Sequence, residues 1–121
     1  MIRGIRGAIT IEENEAKQIE VATEKVVREM IELNHIDPES VAQVIITATT
    51  DIDAGFPAKA LRNINGWQYV PVMCAQEIPV KGSLPKCIRI MMSVNTECDQ
   101  KTVKHVFLEK AKMLRPDLVS E

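Results

Sequence analysis

Two arginines interrupt otherwise apolar stretches: Arg6 in Gly4-Ile5-Arg6-Gly7-Ala8, and Arg89 in Cys87-Ile88-Arg89-Ile90-Met91-Met92. Taking a guanidinium out of water without a partner is costly, so an arginine set into a strand normally faces a carboxylate or a phosphate. Glu77, which follows a run of apolar residues, is the third charged group placed this way. Lys59, Arg62 and Arg115 fall on a short helix and on the tail, where they could close a rim. Two chemistries fit this set. Glu77 could pair with Arg89 or Arg6 as a structural salt bridge while the other cations stay solvated. Alternatively, cations in excess of carboxylates could hold a small anion such as a dicarboxylate. The pattern alone leaves both open.

Other reactive types lack company. His35 and His105 are far apart, and no Cys or His cluster has metal-ligand spacing, so neither a metal nor a cofactor is expected. No dinucleotide fingerprint, phosphate loop or nucleophile elbow occurs. Gly4-Ile5-Arg6-Gly7 formally matches an RNA-clamping G-x-x-G loop, but no helix precedes it. Cys74 and His105 would make a nucleophile and base if they met. Nothing in the sequence places them together.

The elements that must carry these residues can be read from periodicity. Ile2 to Thr10 alternates as a strand, with Gly4, Arg6 and Ala8 on one face, so two very small residues flank the guanidinium. That space could admit a ligand or a packed neighbour. Glu15 to Leu33 is the clearest helix, with an apolar stripe at Ile19, Ala22, Val26, Met30 and Leu33. Asn14 is expected to cap it, Glu12, Glu13 and Glu15 to suit its dipole, and Asn34 to stop it. Val41 to Thr49 is a β-branched run expected of an interior strand covered on both faces. Pro57 opens a short helix through Ile64. Trp67 to Cys74 reads as a strand that Pro71 confines to an edge or a bulge. Cys87 to Asn95 is a further strand, with Arg89, Met91 and Ser93 facing one way. His105 to Glu109 is the last strand, before a polar tail.

This order predicts a single α+β domain over residues 1–121, a two-layer sandwich of a mixed, mostly five-stranded sheet with one long helix and short helices. A flexible tail is expected from about 115 to 121. One helix cannot cover five strands, so apolar sheet surface should remain for other copies of the chain. The four aromatic residues leave the core to aliphatic side chains, and a net charge of −2 argues against nucleic acid as a partner. No apolar run is long enough to span a membrane, the first residues lack a signal core, and three cysteines are an odd set for a disulfide scaffold. A cytoplasmic location follows as the expectation, with the cysteines read as small buried hydrophobes.

Several segments together decide between the two chemistries. Arg3 to Ala8, Phe56 to Ala60, Gly66 to Val72, Cys74 to Glu77, Cys87 to Met92, and His105 to Glu109 followed by Leu114 to Leu118 resemble the AroH-type chorismate mutases, in that family's order and at its spacing. The resemblance implies a homotrimer whose sheets form a pseudo-α/β barrel, with active sites between neighbouring subunits. It also implies rearrangement of chorismate to prephenate, on the shikimate route to phenylalanine and tyrosine, without metal or cofactor.

The same resemblance assigns roles. Arg89 would donate to the ether oxygen of chorismate as its bond breaks and also touch a carboxylate. Arg6 would pair with the enolpyruvyl carboxylate, and Glu77 would accept from the ring hydroxyl with Cys74 beside it. The backbone of Met73 and Cys74 would line the same wall. Phe56, Ala58, Val72 and Leu114 would supply apolar contacts, with Lys59 and Arg115 at the entrance. Two residues depart from the family's usual pattern: Phe107 stands in place of a tyrosine, and Met73 in place of a smaller polar residue. Two rival readings are a non-catalytic trimeric module that binds a small dicarboxylate, and an imine deaminase of the RidA type. The Phe56 to Lys59 and Trp67 segments do not look like the latter.

Overall fold

In the computed structural model, which describes residues 1–118, five strands form one mixed sheet. The strands are β1 (Ile2–Thr10), β2 (Val41–Ala48), β3 (Val72–Gln76), β4 (Cys87–Asn95) and β5 (Val106–Phe107), and their order across the sheet is β3-β2-β4-β1-β5. β4 runs antiparallel to both β1 and β2, while β5 joins β1 and β3 joins β2 in parallel. Among the described residues one α-helix, α1 (Ala16–Asn34), lies against one face of the sheet.

That face is the core. Ile5 and Ile9 of β1, Val44 and Ile46 of β2, and Ile88, Ile90 and Met92 of β4 are buried there against α1. The helix approaches β1 closely at Gly7, where a Cβ would lie 2.3 Å from the sulfur of Met30. The buried helix residues are Ile19, Thr23, Val26, Val27 and Met30. Leu33 is instead 41% exposed, because the buried rows run through Ile19, Thr23, Val26, Val27 and Met30 and leave Leu33 to one side. Thr23 is tolerated because its hydroxyl donates to the Ile19 carbonyl at 2.7 Å.

The start of the helix differs from expectation. Glu15 holds the N-cap position without a side-chain cap. Asn14 instead accepts from the backbone N–H groups of Asp53 and Ala54, tying the helix start to the loop after β2. At the other end His35, at φ 51°, makes the left-handed turn. Asn34 is the last helical residue, and its amide reaches across to the backbone of Lys104.

Two further expectations are corrected. The segment from Trp67 to Val70 is a turn, because Trp67 is used as a core anchor (3% exposed) rather than as a strand residue. The strand begins only after Pro71, on a sheet edge, with the Pro71 carbonyl accepting from Val44. The short helix expected from Pro57 is present as a 3₁₀ helix over Pro57–Asn63, but the last strand is only two residues long, followed by 3₁₀ turns at Glu109–Met113 and Pro116–Leu118. Of the tail expected to be flexible, residues 119–121 lie outside those described.

β2 is also not covered on both faces. Val44 and Ile46 are buried, but Ile45 and Thr47 on the other face are only half-buried. Met91 and Met73 on that same open face are 42% and 69% exposed. The chain supplies one layer of helix, and the second face of its sheet is left open.

Candidate active site

The two strand arginines meet on this open face. Arg6 and Ala8 of β1 pair in register with Met91 and Arg89 of β4, and Arg89 in turn pairs with Thr47 of β2. Cross-strand partners point to the same side of a sheet, so the central strands deliver these side chains to one patch. Glu77 arrives from the loop just after β3, its backbone N–H held by the Ala48 carbonyl at 2.9 Å. Its carboxylate oxygen Oε2 accepts from the Thr47 hydroxyl and lies 3.5 Å from Nε of Arg89.

A cavity of about 320 Å³ opens here, lined by Arg6, Thr47, Glu77, Arg89, Leu114 and Arg115, among others. Ala8, Phe107 and Leu114 line it on the apolar side, and behind them Cys87, Ala111 and Leu84 complete a small apolar cluster. The Cys87 thiol is pushed up to about 11, chiefly by burial, which leaves it a neutral packing residue rather than a nucleophile. A wider, shallower cleft of about 1280 Å³ shares Arg6 and Met91 with this cavity and extends to His105. The smaller space is the better site, because Glu77 and Arg89 both reach it.

Charge sets what the cavity can hold. Among the described residues three guanidinium groups (Arg6, Arg89 and Arg115) line it against one carboxylate, Glu77. Glu77 is shared between Thr47 and Arg89, and Arg115 is bound at its rim by Asp117 at 2.9 Å. That pairing holds the Asp117 carboxyl below its usual range. Among the described residues no carboxylate lies within ion-pair distance of Arg6. Both chemistries read from the sequence are therefore present: Glu77 and Arg89 pair, and positive charge is still left over for an anion. Neither strand arginine is buried in the single chain, since half of the Arg89 side chain is exposed on the open face.

Six of the residues expected at the site line this cavity or its wall: Arg6, Glu77, Arg89, Phe107, Leu114 and Arg115. The other six do not. Ala58 and Lys59 belong to the 3₁₀ helix Pro57–Asn63, which Phe56 precedes and which packs against α1 and beside β3, and Val72, Met73 and Cys74 belong to β3 itself. Phe56 is 80% exposed and Met73 69% exposed. Within one chain Cys74 is not beside Glu77. It pairs with Ile46, a core-facing residue, so strand alternation turns it away from the open face. Cys74 and His105 are also apart, because β3 and β5 are opposite edges of the sheet. Cys74 and Cys98 are exposed, and only Cys87 is buried as expected.

Sequence reasoning missed two residues. Thr47 reads as one more β-branched strand residue, and its role shows only when Glu77 folds back over it. His105 touches Arg6 through both ring nitrogens, and Arg6 lies 99 positions away in sequence.

The fold and cavity define a small α+β protein with a cationic site for a compact anion on an uncovered sheet face. The chain belongs to the chorismate mutase type I family, which it matches over residues 2–118. It is 52% identical to the chorismate mutase AroH of Bacillus subtilis strain 168 over 118 residues, which is 98% of this chain and 93% of that protein. It is 48% identical to the Thermus thermophilus chorismate mutase AroH over 121 residues, 99% and 98% of the two chains. A solved chorismate mutase from Clostridium thermocellum superposes with a TM-score of 0.88 at 48% identity, covering 91% of this chain and 97% of that one.

Proposed function

We propose that this chain converts chorismate to prephenate in clefts that a second copy completes. Family membership makes it an isomerase of aromatic amino acid biosynthesis. The observation that carries the reading of the site is the cavity itself, where three guanidiniums and one carboxylate line the uncovered sheet face. Chorismate is a dianion, and Arg6, left without an acid partner among the described residues, suits one of its carboxylates with the Arg89 and Arg115 guanidiniums beside it.

The rearrangement is unimolecular. A carbon–oxygen bond breaks while a carbon–carbon bond forms, with no proton transfer, so the protein's tasks are orientation and charge. Holding the flexible enolpyruvyl arm over the ring removes rotational freedom before the reaction starts. Arg6, with no acid partner among the described residues, takes that arm's carboxylate. Arg89 donates to the ether oxygen as negative charge grows on it. Glu77, held by the Thr47 hydroxyl on one oxygen, accepts from the ring hydroxyl with the other.

The six residues left outside the cavity are the second half of the site in this reading. Phe56, Ala58, Lys59, Val72, Met73 and Cys74 lie together along the β3 edge, and a neighbouring copy brings that edge to the mouth of the cavity. Exposed apolar side chains at Phe56, Tyr69, Met73 and Met91 support a self-associated form, and a homotrimer is the proposed closed state. The three unpaired thiols suit a reducing compartment, so the cytoplasm is the proposed location.

Mixing the protein with chorismate and following its loss, with prephenate identified as product, tests the activity. Binding without turnover would favour a dicarboxylate-holding module instead. Sedimentation tests the assembly, and a fully active monomer would remove the second half of the site.

A further inference from the structure

β5 pairs with β1 only at Gly7 and Ala8. At Arg6, one residue earlier, a side chain takes over from the ladder: Nδ1 of His105 accepts the main-chain N–H of Arg6 at 2.9 Å. A neutral imidazole has one bare nitrogen, so this bond places the proton on Nε2. Nε2 lies 3.3 Å from Nη1 of Arg6, one donor against another. The ring therefore anchors the backbone of Arg6 and acts as a wall on one side of its guanidinium.

The imidazole is itself held in place. Asn34, at the end of α1, donates to the Lys104 carbonyl at 2.8 Å and accepts the Lys104 N–H at 2.8 Å. That two-bond clamp fixes the loop residue next to His105, so the end of the helix sets the ring and the ring sets Arg6.

We propose that His105 is a positioning residue for Arg6, and that it works only as the neutral imidazole. Protonation would remove the acceptor on Nδ1 and put a new cation against Arg6. The charged groups around the ring are Arg6 on β1, Glu29 on α1, Lys101 and Lys104 on the preceding loop, and Arg115 and Asp117 on the tail. Burial, then Arg6, then Arg115 hold the His105 pKa below its ordinary value of about 6.5. The neutral form is therefore the working form at neutral pH, and it is lost as the pH falls through that lowered value.

The inference rests on Arg6 holding a carboxylate of chorismate. Its test measures kcat and KM for chorismate from about pH 5 to 8 in the parent, His105→Ala and His105→Asn. An asparagine oxygen can occupy the place of Nδ1 and accept the same N–H at every pH. In the parent, KM should rise on the acid side. At neutral pH, His105→Ala should raise KM roughly three- to tenfold, the loss of about one hydrogen bond, with kcat changed less. His105→Asn should keep a KM near the parent's and lose the acid-side rise. An alanine variant with unchanged KM, or an asparagine variant that keeps the acid-side rise, overturns the proposal. If the alanine variant does not fold, the asparagine pH profile decides alone. A parent that does not turn over chorismate overturns the proposed function instead.

Discussion

Replacing Arg89 with glutamine should separate catalysis from folding more sharply than any other single change. The Arg89 Nε lies 3.5 Å from the Glu77 carboxylate, and half of the arginine side chain is exposed. An ion pair that open to water contributes at most about 1 kcal/mol. Losing it should lower Tm by no more than roughly 4–6 °C in a domain of this size. Glu77 keeps the Thr47 hydroxyl as a donor, so the carboxylate is not abandoned. The transition state loses far more. A fixed donor aimed at a developing oxyanion is worth roughly 10²–10³ in rate, and a full positive charge more than that. Chorismate loss, followed by its ultraviolet absorbance at saturating and subsaturating concentrations, separates kcat from KM. The expected result is a kcat lower by at least about 10² with a melting curve close to the parent's. Unchanged kcat with raised KM would reduce Arg89 to a carboxylate-binding residue. Parent-like kcat and KM would refute its role altogether.

Phe107→Tyr should lower KM roughly ten- to hundredfold, since a hydrogen bond to a charged group is worth about 1.5–3 kcal/mol, and an unmoved KM would deny the ring a place near a substrate carboxylate. Gly7→Ala should destabilise the fold by about 1–3 kcal/mol, because the new methyl would sit 2.3 Å from the buried Met30 sulfur. Thermal unfolding reads that cost, and a melting point equal to the parent's would mean that α1 moves away freely. Cys87, with its thiol pushed up to about 11 by burial, should resist alkylation at neutral pH in the folded protein and react after denaturation. Rapid labelling of the native protein at Cys87 would show that the cluster behind the cavity opens.

Most of the fold is legible because alternation and helical period report burial directly. The nine residues of β1 and the two faces of β4 can be read from alternation alone. Trp67 misleads because an aromatic, β-branched string has the composition of a strand, whereas here the indole is spent as an anchor and Pro71 delays the ladder. Asn14 misleads because capping propensity is local, and its amide finds better partners about 40 positions away. His105 and Thr47 are illegible for the same reason. Each acts through a contact that exists only after distant strands have paired.

The β2 run carries a different lesson. Val41 to Thr49 is a nearly continuous β-branched run, as expected of a doubly covered strand, yet among the described residues α1 covers only one face. Leaving Ile45, Met73 and Met91 on an open face has no benefit to a lone chain, since each exposed apolar side chain forgoes about 1.5–3 kcal/mol of burial. The pattern makes physical sense if the missing cover is another copy of the same sheet. The same step accounts for the division of the site residues into a cavity set and a β3-edge set that one chain does not bring together. In the proposed assembly, the β-branched strand left half-open and the β3-edge residues left outside the cavity would meet the same partner. Substitution of Met73 by aspartate tests the link, because a charge placed on the β3 edge should lower self-association and turnover together. Loss of one without the other would mean that the open face and the cavity serve separate ends.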